Sequence, residues 1–135
     1  MPDKDMVNNV DAEEVLAETA ITTNTTTVSS INSSVGFESI TYLINLTDVT
    51  DGDFTIRVVE GDDSGLSDGA DADATRLLGT LTFAVADSGN MLRVGYVGGK
   101  NFQRLEIDSL NVGTGATLDV KVVKGHPLTA PVANP

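Results

Sequence analysis

A chain of 135 residues holds one domain and can bury roughly two-thirds of its unfolded surface, so it needs no staple. It has no cysteine, which excludes disulfides and thiolate metal sites. The net charge of −12 opposes nucleic-acid binding, which rests on cationic contacts to phosphate. No run of about 18 apolar residues occurs, so no membrane-spanning helix is expected. The acidic N-terminus lacks the apolar core of a secretory signal, so synthesis in a cytoplasm is expected.

Residues 1–20 read as an N-terminal arm. Asp11 and Glu14 fit a capping box, and Val10 with Val15 fits the staple around it. A helix over residues 12–19, carrying Val15 and Leu16, is expected. It is too short to stand alone in water, so it should order only against a neighbour. Residues 21–35 are rich in Thr, Ser and Asn and read as a linker running into a first edge strand anchored by Val28 and Ile31.

From Gly36 the pattern alternates. Residues 39–48 place Ile40, Tyr42, Ile44 and Leu46 on one face, and residues 53–60 do the same with Phe54, Ile56 and Val58. Asp51-Gly52 between them is a two-residue turn signal. Residues 61–75 form a long acidic loop. Residues 77–85 should send Leu81, Phe83 and Val85 inward, and residues 91–97 Leu92, Val94 and Tyr96. Gly98-Gly99 turns the chain into residues 101–109, with Leu105 and Ile107 inside. Gly113-Thr114-Gly115 turns it into residues 116–124, with Leu118, Val120 and Val122 inside. The last third thus reads as two antiparallel hairpins.

About seven short strands with regular turn signals predict an all-β fold. It should be a single-domain antiparallel β-sandwich, jelly-roll-like, or a small barrel, with extended N- and C-terminal arms. The domain should span residues 21–125. The tail, residues 126–135, holds three prolines and should be extended, because proline cannot donate to a central ladder.

Chemistry-bearing residues are sparse. Asp62, Asp63, Asp68, Asp71 and Asp73 are a candidate Ca²⁺ set, since Ca²⁺ takes six to eight oxygen ligands. Their spacing fits no known calcium loop, and like charges this close favour a solvated loop. His126 is the single histidine and is followed by proline, so it is read as a strand-end or interface residue rather than a base. No triad can be assembled, and no glycine-rich phosphate loop precedes a helix. The chain is therefore expected not to be an enzyme and to need no cofactor.

Charge is uneven. Residues 1–74 carry 16 acidic and 2 basic side chains, net −14; residues 75–135 carry 4 and 6, net +2. Arg93, Lys100 and Arg104 point away from the core in phase. On adjacent strands they would form one patch, either pairing with Glu106 and Asp108 or docking an acidic partner. Leu128 and Val132 would let the tail lie across a neighbour.

Five words recur in order: Gly36-Phe37-Glu38-Ser39, Glu60-Gly61-Asp62-Asp63, Val94 to Lys100, Phe102-Gln103-Arg104-Leu105, and Val122 to Pro127 with Ala130-Pro131. Together they span most of the chain, and their order resembles a family of small structural proteins of tailed bacteriophages, among them capsid decoration and cement proteins. Asn101-Phe102, Leu128-Thr129 and the acidic insertion at 64–75 depart from the family pattern. The resemblance implies a virion protein on the outer capsid surface, made in the host cytoplasm. Its partner would be the major capsid protein, with no nucleic acid and no membrane. It also implies self-association, with a trimer as first expectation and a dimer as second. Arg93, Lys100, Arg104, His126, Leu128 and Val132, together with the arm residues Val10, Val15 and Leu16, would carry docking. A tail or connector protein is the alternative. A carbohydrate-binding module is disfavoured by the absence of Trp and an aromatic content of 4%.

Overall fold

The computed structural model describes residues 6–128. Eleven strands run β1 (Val10–Ile21), β2 (Thr26–Val28), β3 (Asn32–Ser33), β4 (Phe37–Val49), β5 (Asp53–Gly61), β6 (Ala70–Asp71), β7 (Leu77–Gly79), β8 (Thr82–Phe83), β9 (Met91–Tyr96), β10 (Phe102–Leu110) and β11 (Ala116–Pro127). No α-helix occurs among the described residues, only three single 3₁₀ turns.

Two antiparallel sheets face each other. Sheet I has the order β1-β11-β4-β9-β7. Sheet II has the order β2-β10-β5-β6, with β3 also on β10 and β8 also on β5. Read with β2 and β3 as one broken strand, and β6 and β8 as another, this is a jelly-roll order with β7 added at one edge. The connections β1–β2, β3–β4, β4–β5, β9–β10 and β10–β11 each cross between sheets.

The core is the inward half of each alternating strand. Ile40, Tyr42, Ile44 and Leu46 of β4 meet Phe54, Ile56 and Val58 of β5, Leu105 and Ile107 of β10, and Leu118, Val120 and Val122 of β11. All are buried, each contributing about 1.5–3 kcal/mol of transfer free energy. Phe54 and Phe83 stack with ring centroids 4.6 Å apart.

Several expectations are corrected. Residues 12–19 are not helical, and residues 10–20 are not an arm. They lie in β1, which pairs along β11 from Val10 opposite Gly125 to Ile21 opposite Ala116. The Ala, Glu and Leu content favours helix locally, but a helix would leave β11 without its outer partner and Val15 without the core that buries it. Irregularities at Glu14/Leu16 and Leu16/Thr19 let the strand curve while Val15 and Ile21 stay inside. Leu16 is partly buried against the core.

The turns at Asp51-Gly52, Gly98-Gly99 and 113–115 are real, but none closes a hairpin. Each carries the chain from one sheet to the other. Val85 is 50% exposed rather than inward, because residues 85–87 form a 3₁₀ turn that ends the alternation at Phe83. The acidic stretch is partly ordered into the sheet, with Ala70 and Asp71 opposite Glu60 and Val59.

His126 and Pro127 do not leave the domain. They finish β11, with Pro127 opposite Phe37. The ladder tolerates this proline because β1 begins at Val10, opposite Gly125, so β11 has a single neighbour there. Val132 lies outside the described residues.

Candidate docking surface

Apart from Ala130-Pro131, which lie outside the described residues, the five sequence words meet at one end of the sandwich. The start of β4, the ends of β5, β9 and β11, and the start of β10 all lie there by register. Two polar clusters join the sheets at this end. In the first, the Tyr42 hydroxyl of β4 donates to Asn32 Oδ1 of β3. Asn32 Nδ2 donates to Gln103 Oε1 of β10 at 3.0 Å. Gln103 Nε2 donates onward to Lys100 O at 2.7 Å and Ser34 Oγ at 3.0 Å. Burial pushes the Tyr42 hydroxyl well above its ordinary range.

In the second cluster the Tyr96 hydroxyl of β9 donates to Glu60 Oε2 of β5. Arg76 Nη1 lies 2.6 Å from Glu60 Oε1. Burial first, and then the Glu60 carboxylate, push Tyr96 up to about 12. The backbone N–H of Lys100 donates back to the Tyr96 hydroxyl at 3.2 Å. A Cβ at Gly98 would lie 2.4 Å from that hydroxyl, so only glycine lets the turn wrap the ring. Lys100 Nζ reaches Asp62 at 3.2 Å. The Glu60-Gly61-Asp62-Asp63 and Tyr96 to Lys100 words are thus two halves of one joint. No described buried polar side-chain atom lacks a partner.

At the same end β11 carries His126 and Lys124 beside the start of β4. Ser39 Oγ and His126 Nδ1 share a hydrogen bond, with His126 itself at φ 50°. Lys124 turns inward, 7% exposed, with Glu13 at 3.5 Å, Asp11 at 3.9 Å and the Phe37 ring 5.9 Å away.

Around this end exposed apolar side chains stand beside the charged Glu38 and Asp62. Met6, Val7, Val35, Val97 and Leu128 are each more than half exposed. An open groove of about 750 Å³ lies between Met6 and Leu128, lined also by Val10, Glu38, His126 and Pro127 among others.

The predicted basic patch does not assemble. Arg93 and Arg104 fall on different sheets, because β9 and β10 are not neighbours. Arg104 is held by Glu106 at 2.7 Å on sheet II, and Lys100 sits at the motif end. Arg57, beside Glu106, is the hub of the sheet II face, 2.6 Å from Asp108, 2.8 Å from Asp71 and 3.0 Å from Glu106. It holds the Asp108 carboxyl below the usual carboxylate range.

The candidate calcium carboxylates are turned to other tasks. Asp68 accepts from the backbone N–H of Asp62 and Asp63, and Asp63 accepts from those of Gly65 and Ser67. Asp73 caps the following 3₁₀ turn through Thr75. Asp71 serves Arg57 and Asp62 serves Lys100. Those backbone hydrogen bonds hold Asp63, Asp68 and Asp73 below the usual range. Among the described residues no three acidic or histidine side chains are grouped so that they could hold a metal ion. The sequence showed Glu60 and Gln103 only as parts of the recurring words, without their joining role, and gave Asn32 no role. A signal existed for two of them: Glu60 is in phase with inward Val58, and Gln103 with inward Leu105.

No family model matches this chain, and no curated protein matches it. Among solved structures, the SPBc2 prophage-derived protein YomS superposes with a TM-score of 0.55 at 12% identity, over 87% of this chain and 94% of that one. The CBM22-1-GH10 modules of Clostridium thermocellum endo-1,4-β-D-xylanase 10B, complexed with xylohexaose, give 0.46 at 12% identity, over 95% of this chain and 28% of that one. A Bacillus endospore appendage protein, of a family of disulfide-linked pili, gives 0.44 at 12%, over 90% of each. At such identities the similarity is one of fold.

Proposed function

We propose that this protein is a virion structural protein that binds the outer surface of a phage capsid and stabilises contacts between shell subunits. The observation that carries the reading is the motif-bearing end of the sandwich. There Glu60, Asp62, Tyr96, Lys100 and Gln103, from three of the words that resemble phage structural proteins, are hydrogen-bonded into one unit, with Met6, Val7, Val35, Val97 and Leu128 exposed around it. Exposed apolar side chains gathered at this end, beside the charged Glu38 and Asp62, suit docking by it. The fold is one that a prophage-derived protein also has. Each copy would add a small interface, and many copies on a closed shell would sum by mass action and multivalency.

The test is copy number in purified virions, by quantitative mass spectrometry against the major shell protein. A simple fraction of the shell copy number supports the reading; a handful of copies moves the protein to the tail or connector. Val97→Asp puts a charge into the exposed rim without touching the core. It should leave the fold intact and lower shell occupancy at least fivefold. Unchanged occupancy would remove this end from the interface.

A further inference from the structure

We infer that the outer face of sheet I seats a second copy of this chain, about a two-fold axis that runs parallel to the strands between β11 and β4. This rests on the register and charge of one sheet and is independent of the capsid reading.

Register places the outward residues in rows across the strands. One row reads Ala12, Val123, Thr41, Gly95 and Leu78 and has no charge. The next reads Glu14, Lys121, Leu43 and Arg93. Beyond it, Asp119 lies opposite Asn45, and Asn45 opposite Met91. Arg93 stands out electrostatically. Every other described lysine and arginine has a carboxylate within 4 Å. Among the described residues Arg93 alone has none, in a chain of net charge −12.

An isologous contact must match this pattern with itself. With the axis between β11 and β4, β1 faces β9 of the second copy and β11 faces its β4. Glu14 then meets Arg93 twice, Lys121 lies on Leu43, Asp119 meets Asn45, Val123 meets Thr41, and Ala12 meets Gly95. The orphaned arginine gains a carboxylate and no like charges oppose. Other strand-parallel axes do worse. An axis on β4 sets Lys121 against Arg93, one on β11 sets Lys121 against itself, one between β4 and β9 buries Arg93 on Leu43 with no carboxylate, and one between β1 and β11 matches Glu14 with Lys121 but leaves Arg93 and most of the face uncovered. Rotation about an axis parallel to the strands also keeps the two sheets aligned, which is how sheets stack face to face.

The area fits a reversible dimer. Four strands about 4.8 Å apart and about seven residues deep cover about 450 Å² per copy. About 900 Å² for the pair is at the small end of specific interfaces, so dissociation in the micromolar range is expected.

Sedimentation velocity of the purified full chain, from about 1 to about 300 μM, tests this. Wild type should pass from monomer to dimer. Arg93→Glu should weaken the dimer about tenfold or more, since each reversal replaces two attractions with two repulsions. Glu14→Arg should do the same. The double variant Glu14→Arg/Arg93→Glu should return to within about threefold of wild type. Both side chains are on the surface, and circular dichroism should be unchanged. A wild type that stays monomeric, a trimer, or a dimer indifferent to the reversals would overturn the inference, as would a double variant that fails to recover. Shell occupancy plays no part in these readouts, so this inference and the capsid reading can fail separately.

Discussion

The two ends of the sandwich are closed by different chemistry. At the motif-bearing end, side chains reach from sheet to sheet: Tyr42 through Asn32 to Gln103, and Tyr96 to Glu60. At the other end, one carboxylate organises the backbone. Asp51 accepts from the N–H groups of Gly113, Thr114 and Gly115 at 2.7–3.1 Å. Gly115, at φ +95°, lets the turn press on Ile21, where a Cβ would lie 1.7 Å from the carbonyl oxygen. Buried side-chain networks must be complete or they destabilise, so they hold one geometry. A surface carboxylate on backbone N–H groups exchanges readily with water. The first end should therefore be brittle to substitution and the second forgiving.

The largest test of that contrast is Gln103→Ala. It removes a fully buried amide, opens a cavity and strands Asn32 without its acceptor. It should cost about 3 kcal/mol, read by urea denaturation. Tyr42→Phe keeps the packing but leaves Asn32 Oδ1 without its donor, and should cost about 1–2 kcal/mol by the same measurement.

The next test is alkaline pH. Tyr96 is pushed from 10.0 to about 12 in the folded state, so between those values the folded protein holds a proton that the unfolded chain has lost. Stability should be full below pH 10 and fall as pH rises through about 12. Tyr96→Phe should flatten that limb of a thermal-melt pH profile, while Tyr42, pushed further up, leaves a residual slope.

The smallest effect should come from the forgiving end. The backbone N–H groups of Thr114, Gly115 and Gly113 hold the Asp51 carboxyl below its ordinary 3.8. Its contribution is present above that value and is lost as pH falls through the folded value. Asp51→Asn should lower the melting temperature less than Tyr42→Phe does at neutral pH, and it should shrink the loss of stability in acid. A drop as large as that of Gln103→Ala would erase the distinction between the ends.

How much of this was legible follows from the same contrast. The alternation in residues 40–46, 54–58, 105–107 and 118–122 maps directly onto the buried face, because period 2 in one chain segment is a local property. Sheet membership is not local. Gly98-Gly99 reads alike whether it closes a hairpin or crosses a sandwich, so Arg93 and Arg104 looked adjacent when they are on opposite sheets. Residues 12–19 carry a helical composition that only the distant β11 overrules. Glu60 and Gln103 sit in the inward phase, where polar residues should be read as partners in search of each other. What the alternation could not supply was the pairing of Glu60 with Tyr96 from the other sheet.

β11 lies at the heart of sheet I, between β1 and β4, yet it is translated after every other described strand. Val10 waits for Gly125 across more than a hundred residues of chain. During synthesis both flanking strands therefore present open hydrogen-bonding edges with nothing to fill the slot between them, a template for the wrong partner. Folding must close long loops before its central ladder can form, which makes it intrinsically slow. The glutamates of β1, at positions 13, 14 and 18, then have a second use: they guard an edge that stays open until the final strand arrives.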